Sequence, residues 1–158
     1  RLKYARFAGA DICINSLKED PLKVLADANN GIMADVVIEA SGAPGTEIQA
    51  CKLVRPRGKV MISSWHTKHL DLDYGEMFHK EITLTTSRAT GPDPGIPYSY
   101  VRWGYDQNLK WAVDLFEQGK LKRTFVPSKY HFTEIKKVYD MIDQQNPEIG
   151  MQAILLWE

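Results

Sequence analysis

The chain has 158 residues, 44% of them hydrophobic and 25% charged, which is enough for one globular domain with a buried core. Twenty Lys and Arg balance twenty Asp and Glu for a net charge of +0, so no polyanion is advertised and nucleic acid is not expected as a partner. No apolar run approaches the ~20 residues of a membrane helix and no signal-peptide pattern opens the chain, so neither a membrane nor a secretory route is expected.

In "RLKYARFAGADICIN", Leu2, Ala5 and Phe7 or Ala8 recur at helical spacing, Gly9 sits where a helix stops, and "DICIN" alternates as a strand. A helix follows over "PLKVLADANNG", with Pro21 at its start and Asn29, Asn30 and Gly31 at its end. "ADVVIEASG" is a β-branched run of the kind buried on both faces of a parallel sheet. "GTEIQACKLVRPRG" places Ile48, Cys51, Leu53 and Val54 on one helical face, and Pro56 and Gly58 are expected to close that helix. "KVMISSW" and "EITLTTS" read as two further strands.

The Pro/Gly-rich "TGPDPGIPYSY" reads as a loop. Beyond it, "NLKWAVDLFEQGK" carries Leu109, Ala112, Val113 and Phe116 on one face, and "FTEIKKVYDMID" carries Ile135, Val138, Tyr139 and Ile142 on another. "MQAILLW" is a last strand. The alternation predicts an α/β fold, a partial doubly wound parallel sheet with C-terminal helices and a final strand. The strand ends "EASGAPG", "SSWHT" and "TTSRATG" should share one rim, where ligands of such sheets lie.

Cys13 and Cys51 lie far apart with no metal-type spacing, which fits a reduced, cytoplasmic setting. His66 and His69 are three apart in the loop "WHTKHLDLD", with Asp71 and Asp73 nearby. A loop gives no reason for three or four ligands to converge, so no metal site is assigned. No Ser-His-Asp arrangement, phosphate loop or nucleic-acid motif stands out, and no G-x-G-x-x-G occurs.

Several passages resemble the zinc-type medium-chain alcohol/polyol dehydrogenases. They are "RLKYARFAGADICIN", "ADVVIEASGAPGTEIQACKLVRPRGKV", "LDLDYGEMFHKEITLTTS" and "FTEIKKVYDMI", in order and spacing. The resemblance concerns the family's C-terminal half. It implies that residues 1–91 are a partial dinucleotide-binding domain holding strands 3 to 6. Residues 92–158 would be the helical segment and strand that complete the catalytic domain.

The resemblance nominates Arg1 for the adenosine ribose or a 2′-phosphate. Ser41, Gly42, Ala43, Ser64, Trp65, Ser87 and Arg88 are nominated along the path from adenosine to nicotinamide. The cofactor of the complete protein would be NAD or NADP, bound weakly or not at all by this chain alone. Zinc would be held only by ligands outside it. His79 in "EMFHKE" resembles a structural histidine of a polyol-dehydrogenase-like subgroup, and Ser128 stands where many members have histidine. No catalytic residue is assigned.

In the dinucleotide-fold order 3-2-1-4-5-6, "DICIN" would be strand 3 and "DVVIEA" strand 4. Without strands 1 and 2 they lie ~10 Å beyond pairing distance. Either the chain is a fragment, or a second polypeptide complements it, or "DICIN" shifts beside "DVVIEA". Two functions stand: the cofactor-domain portion of a dehydrogenase, inactive alone, or a non-catalytic assembly or binding subunit. In either, the strand 6 edge "EITLTTS" is expected to join a homodimer or a complementing polypeptide, and proline at Leu84 to block that pairing.

Overall fold

The computed structural model describes residues 1–67, 69–88, 104–121 and 127–157; the loop expected at 90–100 lies outside them. Two compact units arise, Ile14–Leu115, and Arg1–Cys13 together with Phe116–Glu158. The parallel strands and the helices that alternate with them carry the α/β class expected from the alternation.

In the first unit, helix α2 (Pro21–Ala28) starts as its sequence dictates: Asp20 accepts from the Leu22 amide and Pro21 occupies the first turn. Strand β1 (Ala34–Glu39), helix α3 (Thr46–Leu53), strand β2 (Val54–Ile62), helix α4 (Tyr74–Lys80) and strand β3 (Thr83–Thr86) follow. The sheet is parallel, in the order β1-β2-β3. Its core is Ala50, Cys51, Val54, Val60 and Ile62, backed by Val37, Leu72, Met77, Ile82 and Leu84. Cys51 has no solvent exposure, and burial pushes its thiol up.

Two expectations are corrected here. "DICIN" forms no strand: Asp11 is a bend and residues 12–15 are irregular. An extended segment becomes a strand only by joining a ladder, and this one joins none among the described residues. It does not move beside β1 either; the sheet ends there among the described residues.

Helix α3 is not closed by Pro56 and Gly58. It stops at Leu53, and β2 runs through both. The register passes from Ala34↔Val54 to Val36↔Lys59, so five steps on β2 face two on β1 and the surplus residues form a bulge. Arg57 takes a left-handed φ of 57° in it. Only glycine fits at 58, where an added Cβ would lie 2.5 Å from Val54 Cγ2 and 2.9 Å from the Arg55 and Asp35 carbonyl oxygens.

Helix α4, which periodicity did not reveal, begins with Asp73 accepting from the Glu76 amide. It ends on Lys80, whose Nζ donates to the carbonyls of Cys51, Lys52 and Val54 at 3.0–3.1 Å and pairs with Glu76 at 2.6 Å. A lysine from one helix thus satisfies the orphaned carbonyls at the end of another.

Helix α5 (Tyr105–Glu117) closes this unit and enters the next, with Leu109, Val113 and Phe116 about half exposed. In the second unit, helix α1 (Leu2–Ala8) ends at Gly9 in the left-handed conformation, as its sequence predicts. Strand β4 (Ser128–His131), helix α6 (Ile135–Asp143) and strand β5 (Ala153–Leu156) make a βαβ unit with parallel strands. Of the predicted α6 face, Val138 is buried, whereas Ile135, Tyr139 and Ile142 stay exposed. Phe132 and Trp157 stack at 4.7 Å beside it.

Gly58→Ala should destabilise the first unit by about 2 kcal/mol, because backbone on two strands must move to admit the methyl group. Urea unfolding followed by circular dichroism measures this; an unchanged midpoint would show that the bulge yields freely.

Candidate functional site

The sheet's carboxyl-terminal rim is organised by a charge. Glu39 ends β1, directly after the apolar run Val36–Ile38, and is 5% exposed. A carboxylate there is tolerated only if donors replace its water. Its Oε1 accepts from the Ser41 amide at 2.7 Å, Ser41 Oγ at 2.7 Å, the Gly42 amide at 3.0 Å and Thr46 Oγ1 at 3.0 Å. Its Oε2 reaches the next strand's turn, accepting from Ser64 Oγ and meeting His66 Nε2 at 3.1 Å.

Burial alone would push the Glu39 carboxyl up. The Ser64 and Ser41 hydroxyls and the Ser41 and Gly42 amides outweigh it together and hold the group well below the usual carboxylate range. Since an ionised carboxylate only accepts, His66 presents Nε2–H to it. The same Nε2 lies 3.0 Å from Ser64 Oγ. Serine and carboxylate therefore share one ring nitrogen, so this trio is not a nucleophile relay, which needs them on opposite nitrogens.

Gly42 joins the two turns by close approach. Its φ is +66°, and an added Cβ would stand 2.8 Å from the Trp65 carbonyl oxygen and 3.5 Å from Ser64 Cβ. Ser41 also receives the Ala43 amide at 3.2 Å, and the Ala43 carbonyl, 2.7 Å from Thr46 Oγ1, competes with Glu39 for that hydroxyl's single proton. The Trp65 side chain stands out from this backbone, with the residue 85% exposed. After β3, the Ser87 amide donates to the Ile62 carbonyl at 2.9 Å; Ser87 and Arg88 are exposed. A cleft of about 210 Å³ follows the β1 edge, lined by Ile38, Glu39, Ser41, Thr46, Gln49 and Leu53 among others.

Of the residues nominated from sequence, Ser41, Gly42, Ala43, Ser64 and Trp65 are brought together, with Ser87 and Arg88 following the adjacent strand. Arg1 belongs to the other unit, where its carbonyl receives the Tyr4 and Ala5 amides at the start of α1. Sequence reasoning missed Glu39, and it weighed His66 only as a metal ligand. The available signal was a glutamate inside "DVVIEASG", a charge where burial on both faces is expected. A second buried carboxylate, Glu47, accepts from the Asp71 amide at 3.3 Å, and its Oε2 has no partner. No three His, Cys, Asp or Glu side chains converge as a metal site among the described residues.

Because Glu39 is ionised in the fold at pH values where it is protonated in the unfolded chain, its contribution is present above about pH 4.5 and fades as pH falls below it. Glu39→Gln should cost about 3 kcal/mol at neutral pH, and the gap to the unmodified chain should narrow toward pH 2, as followed by urea unfolding across that range. A gap independent of pH would refute the assignment.

Residues 1–102 match the family described as zinc-binding dehydrogenase. The D-arabitol-phosphate dehydrogenase of Enterococcus avium is 28% identical, over 92% of this chain and 38% of its own length. Among solved structures, the alcohol dehydrogenase of Thermus sp. ATN1 superposes with a TM-score of 0.74 at 22% identity, over 99% of this chain and 41% of that one. An alcohol dehydrogenase of Escherichia coli CFT073 in complex with NADH gives 0.66 at 18%, over 90% and 37%. The chain thus spans about two fifths of the length of the relatives it matches, and across that span it belongs to the zinc-binding dehydrogenase family.

Proposed function

We propose that the chain is the cofactor-domain portion of an NAD(P)-dependent, zinc-type alcohol or polyol dehydrogenase. The observation that carries this reading is the rim: Ser41 to Ala43, Ser64 with Trp65, and Ser87 with Arg88 follow three adjacent parallel strands at their carboxyl ends. In open parallel α/β sheets, ligands bind outside that end. NADH in the Escherichia coli structure and the polyol phosphate named for the Enterococcus avium enzyme agree in class.

The rim residues fit a dinucleotide. The Ser41 and Ser64 hydroxyls, whose protons go to Glu39, still accept hydrogen bonds, and exposed Trp65 offers a flat apolar surface next to the strand end that carries Ser87 and Arg88. When bound, the nicotinamide takes or gives the hydride of a carbinol carbon. This chain's part is to orient the dinucleotide by the polar groups of its turns and to keep water from one side of it. Pyrophosphate binding and zinc are assigned to residues outside the chain, and Arg1 keeps the ribose role that the resemblance gives it. A cytoplasmic setting belongs to the same reading.

The assembly proposal also stands: a homodimer, or a complementing polypeptide, through the outer edge of β3. This edge, unpaired among the described residues, favours it equally if the chain is a non-catalytic subunit. The Ser87 amide points to β2, and donors alternate along a strand, so Thr83 and Thr85 face β2 while Leu84 and Thr86 face outward. Leu84 packs against the core and Thr86 is exposed. Thr86→Pro is therefore the cleaner edge probe, since proline at Leu84 would also disturb the core.

Calorimetric titration of the 158-residue chain should show only weak NAD(P) binding, and elemental analysis no stoichiometric zinc. A micromolar dissociation constant, one zinc per chain, or alcohol oxidation by the chain alone would overturn the reading. In light scattering, Thr86→Pro should shift the associated species toward the monomer with the helical signal retained. A compact monomer at high concentration in the unmodified chain would refute the association.

A further inference from the structure

Glu39 does more than sit in a strand. Its two oxygens are used differently: Oε1 serves donors of its own turn and of the first turn of α3, while Oε2 serves the turn after β2. A single rigid group is thus hydrogen-bonded to both turns that form the centre of the rim. The second link between them, the approach of Gly42 to the Trp65 carbonyl, is a backbone contact that only glycine permits. Without Oε2, the 64–66 turn would keep backbone contact with Gly42 but lose its polar anchor.

We propose that Glu39, with His66 as its cross-strand partner, is a positioning residue for dinucleotide binding: it touches no cofactor but holds the Ser41–Ala43 and Ser64–His66 turns in the arrangement that the cofactor meets. This rests on the dehydrogenase reading of the rim. The physical ground is pre-organisation, since turns ordered before binding need not be ordered by it. His66 is suited to the role because its ring is nearly buried, with a side chain 11% exposed, and its Nε2 is committed to the carboxylate and Ser64. Rotation of either turn breaks these bonds, so the two turns move together or not at all.

The test titrates the 158-residue chain with NAD+ at millimolar concentration, following backbone amides and the Trp65 indole by NMR. Glu39→Gln keeps the size of the side chain and an oxygen for the local turn, but puts an amide toward Ser64 and His66. It should weaken binding about tenfold and broaden the amides of 41–43 and 64–66 while those of Val54 and Val60 stay sharp. Gly58→Ala, in the bulge midway along β2 and away from the rim turns, is the control for lost stability and should leave affinity unchanged.

His66→Phe retains the charge on Glu39 and removes one cross-strand bond; it should weaken binding about threefold, and it carries the test if Glu39→Gln does not fold. Equal loss of affinity in Gly58→Ala, or unchanged affinity in His66→Phe or in a folded Glu39→Gln, overturns the positioning role while leaving the dehydrogenase reading intact. Absence of any rim shift in the unmodified chain overturns this inference, while the dehydrogenase reading, under which the chain alone binds the cofactor weakly or not at all, stands.

Discussion

A carboxylate buried at the end of a strand must recover in hydrogen bonds what it loses in hydration. At Glu39 the donors come from three places in the sequence, the turn after β1, the first turn of α3 and the turn after β2. Satisfying one charge therefore fixes the relative placement of three segments. Gly42 then follows from the same constraint, because amides can converge on Oε1 only if the chain turns back sharply, and the turn brings its α-carbon against the next loop. The polar face that the rim presents is what remains after those bonds are made.

The opposite end of α3 solves a related problem with the opposite charge. There the carbonyls of Cys51, Lys52 and Val54 need donors, and the ammonium of Lys80 supplies them from α4. Helix α3 is held by a carboxylate that accepts from Thr46 Oγ1 at its beginning and by a lysine that donates to the carbonyls at its end, each charge of the sign the helix dipole favours there. Between these anchors the apolar contacts of Ala50, Cys51 and Val54 with Val60 and Ile62 form a small core. The bulge at 55–58 lets the chain pass directly from that helix into β2.

Much of this was legible in the residues. β-Branched runs gave β1 and the second half of β2, and Pro21, Gly9 and amphipathic spacing gave helices α1, α2, α5 and α6. Local pattern failed where pairing decides. "DICIN" has a strand's alternation but joins no ladder, while "SKYH", with no such pattern, becomes β4 because β5 lies parallel to it. Periodicity did not reveal α4, whose seven residues are set by the Asp73 cap and Lys80. At the site, Ser41, Gly42 and Ser64 were visible as strand-end residues. Their common partner was not, since a contact between residues 39 and 66 leaves no spacing signature.

The two thiols belong to different units and different surroundings. Cys51 is sealed in the core with its thiol pushed up by burial, so it reacts as a nucleophile only when that core opens. Cys13 is half-buried, its Sγ 3.6 Å from the Leu2 carbonyl, beside a shallow cleft of Lys3, Arg6 and Phe7. Alkylation kinetics of the unaltered protein would thus resolve two clocks. The slow one times breathing of the sheet and α3, and the fast one times the hold of α1 on the chain that follows it, with no label or tag introduced.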